Sequence, residues 1–268
     1  MSDYRFTVKL HGNDDIVRIL KRHPERLSRT LLSLTKQEAR GLAIELARFT
    51  RPFGFAESSK KRGERSVTAD IRRVYKTPAE VFEKLKLVDL SLADRFWADV
   101  SNRRFARANR DLQDPHSPMP GLTIGRLDPF FHKNSRTGPF HNVPKRQKPQ
   151  QIATSSDAID NYITRKLKMV GFAKGSWINA AKAIGGRVRN TAQWCSRHKQ
   201  APGTATVKTG NTPSVTLINS LTYIRQVCSE SSVQMALTNA AARLKLAFQK
   251  SLDYETAKAN QKMERRSG

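Results

Sequence analysis

The sequence predicts an α+β protein, helix-rich with a small antiparallel sheet, a long basic loop or arm in the middle and a long carboxy-terminal helix. Three observations predict it. Apolar residues recur at helical spacing over most of the chain, short stretches at Tyr4–Leu10 and Val215–Ile218 carry strand patterning, and residues 111–156 lose periodicity altogether. At 268 residues the chain can bury a core without disulfides. It divides into an amino-terminal helical region (1–110), a basic arm or loop (111–156) and a carboxy-terminal α+β region (157–268), the outer two sharing one compact domain.

Tyr4, Phe6, Val8 and Leu10 alternate as in a strand, and Pro24 then stands where a first helical turn tolerates proline. Leu27, Leu31, Leu34, Leu42, Leu46 and Phe49 form a helical stripe that stops at Pro52-Phe53-Gly54. Lys60–Arg65 is expected to be a solvated loop, and Val67–Tyr75 fits strand or helix equally. Thr77-Pro78-Ala79-Glu80 carries the cap, proline and first-turn acid of a helix start, with Val81, Leu85 and Val88 following. One further helix is expected from Asp89 to Asn109, with Phe96, Val100 and Phe105 inward. Arg103, Arg104, Arg107 and Arg110 fall at its end, where cations suit the helix dipole.

Between Pro129 and Ser156 there is no Asp or Glu, while Lys133, Arg136, Lys145, Arg146 and Lys148 accumulate. Such a segment cannot bury enough apolar surface to offset its ordering cost, so its order is expected to depend on a partner. Ser155-Ser156-Asp157 reads as the cap of a helix with Ile159, Ile163, Leu167 and Val170 on one face, ended by Gly171. A second helix carries Trp177, Ala181 and Ile184 to Gly185-Gly186, and a short third holds Val188, Ala192 and Cys195. Residues 200–213 suit a loop or hairpin before the strand Val215–Ile218. The last helix, from about Ser232, shows Val233, Leu237, Ala240, Leu244, Phe248 and Leu252 close to heptad spacing, with Met263–Gly268 fraying.

Lys and Arg number 49 against 23 Asp and Glu, a net charge of +26 and a sequence pI near 10.7. That excess opposes compaction unless a polyanion or a neighbouring subunit neutralises part of it. No apolar run approaches the roughly 18 residues a membrane span requires, and the amino terminus lacks the apolar region of a secretory signal. With only Cys195 and Cys228, a reducing compartment and no disulfide are expected.

No catalytic, cofactor or metal site is predicted. Cys195-x-x-His198 has no second ligand pair, and the two cysteines are expected to pack as small apolar residues. His132 and His141 bracket the basic segment, and Phe140-His141-Asn142 is faintly similar to a metal-nuclease motif, yet the stretch around them supplies no carboxylate. Gly171–Ser176 lacks the spacing of a phosphate-binding loop, and Asp14, Asp15, Asp157 and Asp160 suit helix starts. The candidate contacts are therefore Arg103, Arg104, Arg107, Arg110, Lys133, Arg136, Lys145, Arg146 and Lys148, directed at a nucleic-acid backbone without sequence preference.

Val170-Gly171-Phe172-Ala173-Lys174-Gly175-Ser176-Trp177, with Ala180-Ala181 and Gly185-Gly186 after it, resembles the head-tail neck or tail-completion proteins of tailed bacteriophages. Pro52-Phe53-Gly54, Asp70–Tyr75, and Asn219–Tyr223 before a long terminal helix agree with that resemblance. Family members often follow the position of Tyr223 with an acidic, glycine-containing turn, where this chain has Ile224-Arg225-Gln226-Val227. The resemblance implies a homo-oligomeric ring, usually six-fold and sometimes twelve-fold, at the junction of capsid and tail in the virion, with genomic DNA through its centre. Neighbouring neck, portal or tail proteins would be its partners. Two other readings compete: a free DNA-binding protein of packaging or replication, and a His-dependent nuclease. Trp177 has a packing role under any of them, against Ile163, Leu167, Ala180 and Ala181.

Overall fold

The computed structural model describes residues 6–11, 24–113, 119, 121–134, 151–210 and 213–267. Strand β1 (Phe6–His11) precedes helix α1 (Pro24–Phe49), which begins on its proline and ends before Pro52 as expected. Helix α2 (Glu57–Val74) occupies the Lys60–Arg65 stretch that composition suggests as a loop. Lys, Arg and Glu are good helix formers, Glu57 sits in the first turn and Arg72 and Arg73 in the last, and together these outweigh the single Gly63. Two residues of strand β2 (Tyr75–Lys76) follow. Thr77 caps α3 (Pro78–Lys86): its hydroxyl accepts from the Glu80 N–H at 3.1 Å, and the Glu80 carboxylate accepts from the Thr77 N–H at 2.7 Å.

The single helix expected over Asp89–Asn109 is two, α4 (Leu90–Ser101) and α5 (Phe105–Gln113). Between them Arg103 takes a left-handed φ of 57°, and the Arg104 N–H folds back to the Asp99 carbonyl at 2.7 Å. Phe105, expected inward, is 44% exposed because the break rotates α5 relative to the helical count. Strand β3 (Leu122–Ile124), helix α6 (Pro129–Asn134) and strand β4 (Gln151–Ala153) stand where an extended arm is expected, so its flanks are built into the fold. Residues 135–150 lie outside the described chain.

Beyond them come α7 (Ser156–Leu167), capped by Ser155, α8 (Phe172–Ala183), the short α9 (Gln193–Ser196), the hairpin β5 (Gly203–Lys208) and β6 (Ser214–Asn219), α10 (Ile224–Val227) and α11 (Glu230–Ser267). Gly185 and Gly186 both take positive φ after α8, as the helix end requires. At 38 residues α11 is about 57 Å long.

Residues 1–60 and 171–268 form one compact unit, and residues 61–170 form a second. The chain leaves the first unit and returns to it, so these units cut across the three segments read from composition. In the first unit, β6 is the central strand of an antiparallel sheet in the order β1-β6-β5, with Phe6 and Gly203 both opposite Asn219. Val215, Leu217 and Asn219 of β6 are buried, and α8 and α1 pack on the sheet. α11 lies along α1 through Val233, Ala236, Ala240, Leu244 and Phe248, with Leu31 facing Phe248. Its edge is pinned by Arg243, which donates to Glu38 and Glu45, both at 3.0 Å.

In the second unit a parallel sheet in the order β2-β4-β3 joins two apolar clusters. Val81, Leu85, Phe96, Ala108, Leu112 and Leu122 form one, and Ile71, Val74, Tyr75, Ile159, Tyr162 and Ile163 the other. Ile163 and Leu167 belong to this second cluster, while Trp177 is a wholly buried residue of the first unit beside Ala180 and Ala181 on α8. Among the described residues no helix is long and apolar enough to cross a membrane.

Burial of Trp177 sets a direct expectation for its removal. Trp177→Ala should cost about 3 to 5 kcal/mol, read as a lowered denaturant midpoint at unchanged slope. A midpoint within error of the parent would contradict the packing.

Candidate functional site

Four of the predicted contact residues meet at one corner. Arg103 and Arg104 form the break between α4 and α5, Arg107 and Arg110 lie on α5, and all four are exposed. Ala108 and Leu112, on the opposite side of α5, are buried, and Asn109 ties the helix to β3, donating to the Ile124 carbonyl at 3.2 Å and accepting from its N–H at 2.5 Å. The corner is thus held by packing from behind.

Its electrostatics depart from the sequence expectation for three of the four arginines. Arg103, Arg104 and Arg107 sit at the amino-terminal end of α5, where the dipole does not favour them, while Arg110 lies in its last turn, where it does. The Arg104 carbonyl accepts from the N–H groups of Arg107 and Ala108, which puts Arg104 at the capping position with no side-chain oxygen to offer. A cluster of cations at a helix start is an arrangement that an anion stabilises. Of the other predicted contacts, Lys133 lies in α6, its side chain outside the described residues, and Arg136, Lys145, Arg146 and Lys148 lie in the undescribed 135–150 stretch.

His132 is not an open metal ligand. It is buried, with Nε2 at 3.1 Å from the Asp70 carboxylate and Nδ1 at 3.1 Å from the Tyr162 hydroxyl. An imidazole that donates to Asp70 and accepts from Tyr162 uses both ring nitrogens. The carboxylate that sequence proximity did not supply comes from α2, which also pairs Asp70 with Arg73 at 3.1 Å. Tyr75 stacks edge-on to Tyr162 and donates to the Asp128 carbonyl, and burial pushes its hydroxyl up to about 12. The network fixes α6 to α2 and α7. Among the described residues no three His, Cys, Asp or Glu side chains group to hold a metal.

One buried charge was not anticipated. Lys174 of α8 is wholly buried in the first unit, and its ammonium donates to the Ala47 carbonyl at 2.6 Å, one of the last carbonyls of α1. The rings of Phe55 and Trp194 stand 5.4 and 5.8 Å from it. Burial holds the group down to about 8 from its ordinary 10.5, an effect that nearby Cys195 and Cys228 partly oppose. Burial likewise pushes the Cys195 thiol up to about 12, so the two cysteines are inert packing groups, as expected. The signal for Lys174 was in the sequence: it shares the i, i+3, i+4, i+7 face of Trp177, Ile178 and Ala181. No phosphate-binding loop forms here, because Gly171–Ser176 is the buried first turn of α8.

Compared with protein-family models, curated proteins and solved structures, the chain matches none.

The depressed Lys174 gives a pH test. Below pH 8 both folded and unfolded states carry the charge; between 8 and about 10.5 the fold has lost the proton that the unfolded chain keeps, so stability rises with pH in that window. The raised thiols act oppositely above pH 9, so the comparison must be with Lys174→Met, which shares them. The stability of Lys174→Met relative to the parent should fall by about 1 to 2 kcal/mol between pH 7.5 and 9.5. A flat difference would show an ordinary lysine pKa.

Proposed function

We propose that the chain is a non-enzymatic structural protein of a tailed-phage virion. In this reading it forms part of the head-tail neck as a connector or tail-completion ring, six-fold in preference to twelve-fold, assembled in the host cytoplasm. The observation that carries the reading is the arginine corner: four exposed arginines at and along the short helix α5, three of them at its start, on a chain of net charge +26. Phosphates of DNA passing through a ring would neutralise that charge by counterion release, with no demand on sequence.

The segment that carries the resemblance supports the same reading through its packing. Gly171 has φ of 92°, and a Cβ there would lie 2.7 Å from the Trp194 ring. Lys174, Gly175, Ser176 and Trp177 are all buried. The motif therefore acts as a fold signature rather than a catalytic one, as a structural subunit requires. Neighbouring neck, portal or tail proteins are the partners this reading gives it.

Native mass spectrometry or negative-stain imaging of the purified chain separates the readings. Closed rings of six or twelve copies are expected, whereas monomers or dimers that bind DNA would favour a packaging or replication protein. Affinity for duplex DNA should fall with salt, and replacing Arg103, Arg104 and Arg107 with Gln should reduce the log–log slope by about 2 to 3. Replacing Lys145, Arg146 and Lys148 tests the undescribed segment in the same way. A parent protein whose binding is absent or indifferent to salt would rule out backbone contact.

A further inference from the structure

A second set of cations lines up on α2. Lys61, Arg65 and Arg72 stand at i, i+4 and i+11, within a sector of about 40° on the helix and over a rise of about 16 Å. Between Arg65 and Arg72 the side chains of Thr68 and Ala69 are short. With Glu64, these five residues line an open groove of about 510 Å³.

The cations have different freedom. Arg72 is held by Asp160 at 2.9 Å and Glu80 at 3.5 Å. Lys61 and Arg65 are exposed and pair with no carboxylate among the described residues; Arg65 has only a long contact, 3.4 Å, to the Lys61 carbonyl. We infer that this groove seats one phosphate backbone strand of duplex DNA, with Lys61 and Arg65 making the contacts and the tethered Arg72 closing the row. A backbone strand winds about the duplex axis, so a straight row of about 16 Å follows it over only about two or three phosphates, enough for Lys61 and Arg65 to meet one each without a fixed register. That tolerance suits contact without sequence preference. The small floor at Thr68 and Ala69 lets the backbone approach between the long side chains. The inference rests on the reading that DNA lies against this protein, and it adds a contact outside the arginine corner.

The test measures binding of the full chain to a fluorescein-labelled 25-base-pair duplex of mixed sequence across salt concentrations. The double variant Lys61→Gln/Arg65→Gln should lower the log–log slope by about 1.8, with an unchanged circular dichroism spectrum. If that variant folds poorly, Arg65→Gln alone should lower the slope by about 0.9. Lys84→Gln/Lys86→Gln, exposed on α3 and outside the groove, is the control and should lower it by less than about 0.5. Ala69→Phe, which fills the groove without removing charge, should weaken binding at least three-fold. Equal slopes for the groove and control variants would overturn the groove while leaving the neck reading intact. Rings that bind no duplex at all would overturn the groove and the DNA contact together. Binding polyglutamate as tightly as duplex would overturn the assignment to nucleic acid.

Discussion

The first unit is organised around a buried ammonium. Lys174 reaches the carboxyl end of α1, where unpaired carbonyls and the negative end of the dipole favour a cation, and two aromatic faces enclose it. The surrounding contacts converge on the same place. Trp194 donates to the Phe55 carbonyl at 3.1 Å, Thr50 to Leu46 at 2.8 Å, and the Arg51 N–H to Val227 at 2.8 Å. One charge thus ties α8 to the end of α1 and the turn after it. A buried charge is costly, and an apolar side chain of like volume could equal it in stability. What the ammonium adds is direction, since it accepts only a placement of α8 that puts Nζ on Ala47. The close approach of Gly203 to the Ser176 carbonyl, where a Cβ would fall 1.6 Å from the oxygen, fixes α8 against the hairpin in turn.

The second unit carries the exposed cations on its surface. That unit carries Arg103, Arg104 and Arg107 where local physics does not reward them, exposed at a helix start. A structure tolerates such an arrangement when a partner of opposite charge compensates it, and a polyanion does so more completely than single ions. The cation row on α2 follows the same logic in a straight line. Neither feature discriminates bases, which agrees with a protein that meets whatever sequence passes it. The His132 network stands apart from this. His132, Tyr75 and Tyr162 are buried, Asp70 is half-buried, and the network holds the element that leads into the basic 135–150 stretch.

Much of the fold was legible because the signals were local. Thr77 with Glu80, Ser155, Gly185-Gly186 and the Val233–Phe248 stripe each state their structure within a few residues. The misreadings came where the deciding contact was distant or the signal evenly balanced. The Lys60–Arg65 run has the charge density of a solvated loop, yet its Lys, Arg and Glu are also good helix formers. The break at 102–104 depends on the left-handed Arg103, a geometry no arginine advertises. The parallel sheet was invisible because β2, β3 and β4 are two or three residues each and find partners far along the chain. The arginine corner was found by composition, but its place at the start of a helix was not, and the Asp70 partner of His132 lies 62 residues away.

The place proposed for this chain is the point where DNA leaves a capsid and enters a tail. Immunogold labelling of tailed particles produced from the genome that encodes it, with antibody raised against the purified chain, addresses that claim directly. Gold at the junction of head and tail, or on isolated necks after the particles are disrupted, is the result the account predicts. Particles that carry no label anywhere, intact or disrupted, while the same antibody detects the chain free in the lysate, would contradict it.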